Sequence, residues 1–599
     1  FEPIKNWITN VEFNYSINTV DTRQTSLPYY NHDVNGNVID TKGTSSLYQD
    51  FRKENYMNWN IYTTYSFTMD DVHNFKVMGG FQAEEQRQKY FWARGYGLQV
   101  EELPELDLIS NIDGAGKDKV PEVGGYRNQW STAGFFGRIN YDYQGRYLLE
   151  ANIRYDGTSR FLRDQRWNVF PSFSAGWNIA REAFFEDYTE LINNLKIRGS
   201  WGELGNQNTD NWYPFYRQLM FKQQNGGWLI NNTAKPDIAY EGSLVSSTLT
   251  WEKTRTWDIG FDLGMLNNRL NVTFDYFQRQ TLDMVGPGQE MPDVMGISPA
   301  KINNLDMTSK GWELQISWRD QINDFKYGAT LALSDNIVTI DRYPNPSKSL
   351  TTYYDGRKLG DFWGYKTIGI AKTQEEMDAH LAKVDQSGAG GNWGAGDIMY
   401  ADLNGDNRIS KGSDTLGEHG DKILLGNSTP RYNFGLNMDA QWKGFDLKVF
   451  FQGTLKRDYM PSSDATMFWG AVGYWQTNFF EPHMDYFRPA DTTSPLGANV
   501  DGYFPRPLES GKNRLAQTRY VQDASYVRLK NVTLGYTLPS EWTKKFAVNN
   551  LRLFVSGENL LTITSLVDTF DPETIGVGNW DGCTYPLSQT FSFGLSATF

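Results

Sequence analysis

The chain has 599 residues, a single cysteine, a formal net charge of −14 and a mean hydropathy of −0.57. The acidic balance carries no basic stripe, which excludes an electrostatic nucleic-acid binder, and the lone Cys583 excludes an intrachain disulfide framework and a cysteine zinc site. No run approaches the roughly 20 apolar residues of a spanning helix, so an α-helical membrane protein is excluded; a β-barrel, in which only every second residue meets lipid, is not.

With 15% aromatic residues and 56 glycines, the composition favours strands and turns. The chain opens Phe-Glu-Pro-Ile-Lys without an apolar signal core, so any targeting segment is expected to be removed or to lie upstream. Period-two alternation begins at Trp7, Val11, Phe13, Tyr15 and Ile17, and predicts a first strand over Trp7 to Ile17. Further strands are predicted near Trp59 to Met69 and Phe75 to Ala83, joined at Asp70-Asp71. The clearest hairpin runs in through Phe135, Gly137, Ile139, Tyr141 and Tyr143, turns at Gln144-Gly145, and leaves through Tyr147, Leu149, Ala151, Ile153 and Tyr155. Its other face carries Arg138, Asn140, Asp142, Glu150, Asn152, Arg154 and Asp156.

The same pattern recurs to the end of the chain, with turns predicted at Asn267-Asn268, between Asp320 and Asp324, and at Lys443-Gly444. Val527 and Leu529 lie on the opposite parity from Val532 and Leu534, which predicts a β-bulge near Lys530-Asn531. In Thr590 to Phe599, the residues Phe591, Phe593, Leu595, Ala597 and Phe599 alternate with small polar ones. About 16 strands result, with short turns at one end and long loops at the other, the pattern of an outer-membrane barrel. The long segments are expected at 22–55, 93–126, 206–248, 285–307, 343–428, 460–521 and 564–583. A soluble sandwich or propeller explains the alternation of any one strand, but not this parity of loops.

The stretch from Arg146 to Phe161 contains Arg154-Tyr-Asp-Gly-Thr-Ser-Arg160-Phe161, and Asn168-Val-Phe-Pro-Ser-Phe-Ser-Ala-Gly-Trp177 follows it. Together with Gly396-Asp397 to Asp406, Gly426-Asn-Ser-Thr-Pro-Arg-Tyr432, Ser525 to Asn531 and the terminal Phe599, these residues resemble the SusC/RagA family of TonB-dependent outer-membrane transporters. The resemblance implies an all-β transmembrane antiparallel barrel of 22 strands, with a plug and a TonB-contacting segment ahead of it. Residues 1–599 are then expected to be the C-terminal barrel portion, without plug or TonB segment. The resemblance further implies a site in the outer membrane of a Gram-negative bacterium, in contact with lipid. Its implied partners are a SusD-like surface lipoprotein and the TonB complex. The implied role is active import of oligosaccharides, with peptide import, or a passive porin, as alternatives. Phe599 resembles the terminal aromatic that barrel assembly recognises.

The residues supply the remaining candidates. Asp402, Asn404, Asp406, Arg408 (through its carbonyl) and Ser410 are spaced like the oxygen ligands of an EF-hand-type calcium loop, with the distal acid displaced to Asp414. An Asx-rich turn is the other reading. Within the longest loop, 343–428, Thr373 to Lys383 predicts a small helix with a capping-box start, and the glycine-rich Ser387 to Gly396 predicts a flexible hinge. Trp212, Tyr213, Trp228, Trp363, Trp393, Trp469 and Trp475 are candidates to stack on sugar rings or to meet the lid, against ordinary loop packing. The five histidines are scattered and no nucleophile elbow is present, so no enzyme is predicted.

Overall fold

Sixteen strands taken in chain order form one hydrogen-bonded sheet, each strand pairing with its neighbours in sequence and none crossing over. They are β1 (Trp7–Ser26), β2 (Ser46–Met69), β3 (His73–Tyr96), β4 (Glu122–Tyr143), β5 (Tyr147–Thr158), β6 (Trp167–Asn178), β7 (Ile192–Asn206) and β8 (Glu252–Met265). The second eight are β9 (Leu270–Gly286), β10 (Ile302–Ile322), β11 (Phe325–Arg342), β12 (Arg431–Trp442), β13 (Phe445–Lys456), β14 (Tyr526–Thr537), β15 (Asn550–Thr564) and β16 (Thr590–Thr598). This computed structural model describes all residues except 114–115, 210, 223–224, 231–234, 289–290, 471–478 and 577–583, and the side chain of residue 293. Cys583 and Trp475 therefore lie outside the described residues. No helix among the described residues is long and apolar enough to cross a membrane.

The turns form where left-handed backbone is cheapest. Asp70 and Asp71 have φ of 50° and 56°, Asn267 and Asn268 of 58° and 60°, and Lys443-Gly444 of 47° and 90°. Two consecutive left-handed residues match the twist of the flanking strands, and Asn, Asp and Gly adopt that conformation most readily. In the β4–β5 pair, Phe135 lies opposite Tyr155, Gly137 opposite Ile153 and Tyr141 opposite Leu149. This greasy row is exposed, with Ile153 at 55% and, on β16, Phe593 at 84%. The opposite face is polar and internally bonded: Glu150 accepts from Asn152 Nδ2 at 2.8 Å, and Arg154 Nη2 donates to Asp156 at 2.9 Å. Apolar rows turned outward with ion pairs on the other face invert the arrangement of a water-soluble sheet, and suit a surround of lipid.

The bulge falls where parity predicts it. Phe450 pairs with Asn531 and Phe451 with Leu529, so Lys530 is the extra residue on β14 against β13; against β15 the register shifts the other way, Leu529 pairing with Leu561 and Asn531 with Glu558. The strands run further than their alternation suggests. Residues 46–55, expected in a loop, continue β2 in unbroken register with β3, with Arg52 opposite Tyr90 and Glu54 opposite Gln88. There Arg52-Lys-Glu-Asn55 is polar on both faces, and a strand wet on both sides loses its period-two signature while keeping its hydrogen bonds.

The contacts define two units. One comprises Phe1–Ser174, Gly202–Thr254 and Asp283–Asn303; the other comprises Ala175–Trp201, Arg255–Leu282 and Asn304–Phe599. In the first, Phe161, Phe170, Leu249 and Trp251 form a small buried cluster. In the second, the long connections fold together over a core that includes Tyr365, Ile398, Tyr400, Tyr459, Phe468, Phe504, Tyr520 and Phe570.

Candidate functional site

In the first unit, the segment after β7 presents Trp212 and Tyr213. Tyr213 Oη accepts the backbone N–H of Gln129 at 2.8 Å, and Trp212 lies beneath the Arg160 guanidinium, whose Cζ is 5.8 Å from the ring centroid. Trp228 is exposed at 64%. Nearby, Asn208, Thr209, Asn211, Tyr216, Gln218, Tyr240 and Ser298 are among the residues that line a cavity of about 750 Å³. Its amides, hydroxyls and aromatic faces are groups that hydrogen-bond and stack on a polar solute.

In the second unit, the tryptophans of the long loops are used largely in packing. Trp469 is buried, donates Nε1–H to Ser462 O at 2.8 Å and stands edge-on to Tyr520 at 4.8 Å. Trp393 donates to Gly390 O at 3.0 Å and carries the Lys512 ammonium 4.5 Å from its ring centroid. Trp363 sits 5.4 Å from the His419 ring, and its buried indole N–H has no partner among the described residues. Phe599 is exposed.

The long loop carries the predicted helix, Gln374–Leu381. Thr373 Oγ1 accepts from Glu376 N at 3.2 Å, and the Glu376 carboxylate reaches back to Lys372 N at 2.6 Å. The glycine-rich stretch is packed where a hinge was expected. A Cβ on Gly388 would fall 2.5 Å from Ile409 O, and one on Gly396 2.3 Å from the Phe487 ring. Glycine here permits close approach. The carbonyls of Gly391 and Asn392 accept from Lys512 Nζ at 3.0 and 2.7 Å.

Between these segments lies Asp397, fully buried, a residue that alternation could not single out. It accepts from Lys512 Nζ at 2.8 Å, from Asn513 Nδ2 at 2.9 Å and from the fork of Arg506. Burial pushes its carboxyl up, but the hydrogen bonds from Arg506, Lys512 and Asn513 outweigh it and hold it below the ordinary range. The node ties the 343–430 connection to the 457–525 connection.

The six residues of the predicted calcium loop divide. Asp402 accepts from Gly405 N at 2.8 Å and Asn407 N at 2.9 Å; Asn404 accepts from Asp406 N at 3.0 Å; Asp406 accepts from Arg408 N at 2.8 Å. Ser410 N is held at 2.8 Å by Asp421, which also accepts from Leu403 N at 2.7 Å. Asp414 is taken by Lys422 Nζ at 2.7 Å. Among the described residues, no group of three or more His, Cys, Asp or Glu side chains is placed to hold a metal ion. The residues present form a braced Asx turn, with Asp421 buried as its inner support.

On the strand faces, Arg198 of β7 gathers Asp258 at 3.6 Å and Asp262 at 3.3 Å from β8, and Asp275 at 2.7 Å from β9. Asp446 of β13 pairs with Arg552 of β15 across β14 at 2.8 Å. These carboxylates are engaged with cations, as a polar wall requires.

A sheet of sequential antiparallel strands with greasy rows outward and an ion-paired polar face belongs to the outer-membrane β-barrel class. A family model described as TonB dependent receptor-like, beta-barrel, matches residues 1–560. The chain belongs to that family, which comprises transporters of the Gram-negative outer membrane and not enzymes. TonB-dependent receptor P3 of Formosa agariphila is 27% identical over 91% of the chain and 52% of the relative. TonB-dependent receptor SusC of Bacteroides thetaiotaomicron is 25% identical over 91% of the chain and 50% of the relative. The chain thus spans about half the length of these relatives. The solved structure of the RagAB peptide transporter matches all of the chain and 60% of the solved one, with a TM-score of 0.77 and 21% identity. The likeness to SusC and RagA read from the motifs is borne out.

Proposed function

We propose that this chain forms the barrel of a TonB-dependent importer that takes up oligosaccharides together with a SusD-like surface lipoprotein. The observation that carries the reading is the division of labour in the chain. Greasy rows and ion-paired faces alternate along the strands, while the long connections fold into a platform with their own aromatic core. Such a platform is suited to hold a lid, and the amide- and aromatic-lined cavity to receive a polar solute. The barrel performs no covalent chemistry; energy comes from the TonB complex acting on a plug. Peptide import is the second reading, favoured by the fold match to the RagAB peptide transporter.

The test is isolation of the native protein from outer membranes, with mass spectrometry of what accompanies it. A surface lipoprotein and a bound glycan are expected. A bound peptide selects the second reading, and diffusion of solutes in cells lacking TonB overturns active import in favour of a passive pore.

A further inference from the structure

Arg160, immediately after β5, is 6% exposed. Its Cζ lies 5.2 Å from the ring centroid of Trp130 and 5.8 Å from that of Trp212, so the guanidinium contacts two indoles. Its Nη1 donates to Thr209 O at 3.2 Å and Thr209 Oγ1 at 3.3 Å. Among the described residues its buried Nε has no partner and Nη2 makes no hydrogen bond. Burial lowers the basicity of the group.

The idle edge has a precedent in the same chain. In Arg154 and Arg552 the Nε and Nη2 atoms grip one carboxylate, at 3.0 and 2.9 Å on Asp156 and at 2.8 and 2.6 Å on Asp446. Arg342, Arg431 and Arg506 do the same with Asp306, Asp335 and Asp397. This fork is the geometry in which guanidinium recognises a planar oxyanion. Among the described residues, Arg160 alone combines near-complete burial, aromatic flanks and an unused fork, and the threonine it holds, Thr209, lines the 750 Å³ cavity.

We propose that the Nε and Nη2 edge of Arg160, framed by Trp130 and Trp212, receives a carboxylate of the solute. This rests on the import reading and narrows it to carboxylated solutes. A sugar acid and the carboxylate of a peptide share this chemistry.

The test is binding to the intact protein purified in detergent, followed by tryptophan fluorescence and titration calorimetry. The probes are glucuronate, N-acetylglycine and neutral glucose. Saturable binding of at least one acid, with a change in indole emission and no response to glucose, is expected. Glucuronate alone identifies a sugar acid, and N-acetylglycine alone a peptide-type carboxylate. Arg160→Lys keeps the charge but not the fork and should weaken binding roughly tenfold or more; Arg160→Met should abolish it, with heat-modifiable migration confirming a folded barrel. No acid binding, equal binding of glucose, or full binding by Arg160→Met overturns the proposal. Carboxylate binding that depends on Arg160 in a protein that imports nothing refutes import and keeps the site. Import of the same solutes by Arg160→Met removes the site and keeps import.

Discussion

At the scale of single residues, the clearest dependence is on Asp397. Removing its charge leaves the Lys512 ammonium, 4% exposed, buried without its carboxylate. Asp397→Asn should therefore cost roughly 3–5 kcal/mol of loop docking, read as faster proteolysis between residues 387 and 400 with the barrel strands still protected. Since the folded carboxyl lies below its usual 3.8, the node's contribution is complete above that value and is lost as pH falls through the lower folded one. Near-UV dichroism of the aromatic core should hold from neutral pH to about 4 and fade only below it; loss already at pH 6 would contradict the assignment. Neither Asp397 nor Arg160 was legible as an ionic centre in sequence. Lys512, Asn513 and Arg506 lie more than a hundred positions from Asp397, and Trp212 meets Arg160 only through the return of a loop.

At the scale of elements, strands and turns were legible wherever a residue had to choose between two media. Phe135 to Tyr155 alternates because one face is greasy and the other ion-paired, and Asp70-Asp71 turns because both residues tolerate positive φ. Where both faces are wet, as at Arg52 to Asn55, the strand continued unseen. The bulge gives a sharp test. Deleting Lys530 removes the residue that is extra against β13, together with its 3.2 Å pair with Glu573, so the facing of β14 should survive. Deleting Thr533 slips the strand by one, turns Asn531 and Arg528 toward the greasy side, and separates Arg528 from Asp571 and Glu573. A charge on the lipid face costs up to ~2–4 kcal/mol, so the second deletion should lose the heat-resistant folded band in gel migration and the first should keep it. For the loop at Asp402 to Asp414, backbone amides and Lys422 already occupy the oxygens. Chelation of divalent ions should leave its protease resistance and the melting temperature unchanged if the Asx turn stands alone; a drop reversed by calcium would establish the metal reading.

At the scale of the molecule, each face of the sheet meets its own medium, lipid on the greasy rows and water on the ion-paired ones. The aromatic core of the loops, drawn from Tyr365, Tyr400, Phe468, Phe504 and Tyr520, has no period because each segment contributes a few residues to a shared interior. That platform could be read only once the chain was folded. The outward rows, by contrast, were readable from the terminal strand alone. Single spin labels at positions 592 and 593, in protein carrying Cys583→Ser and held in native-like bilayers, test this most directly. A label replacing Phe593 should be relaxed chiefly by oxygen, which concentrates in lipid, and a label replacing Ser592 chiefly by a water-soluble nickel chelate. Equal and strong relaxation of both by the chelate would contradict a membrane barrel.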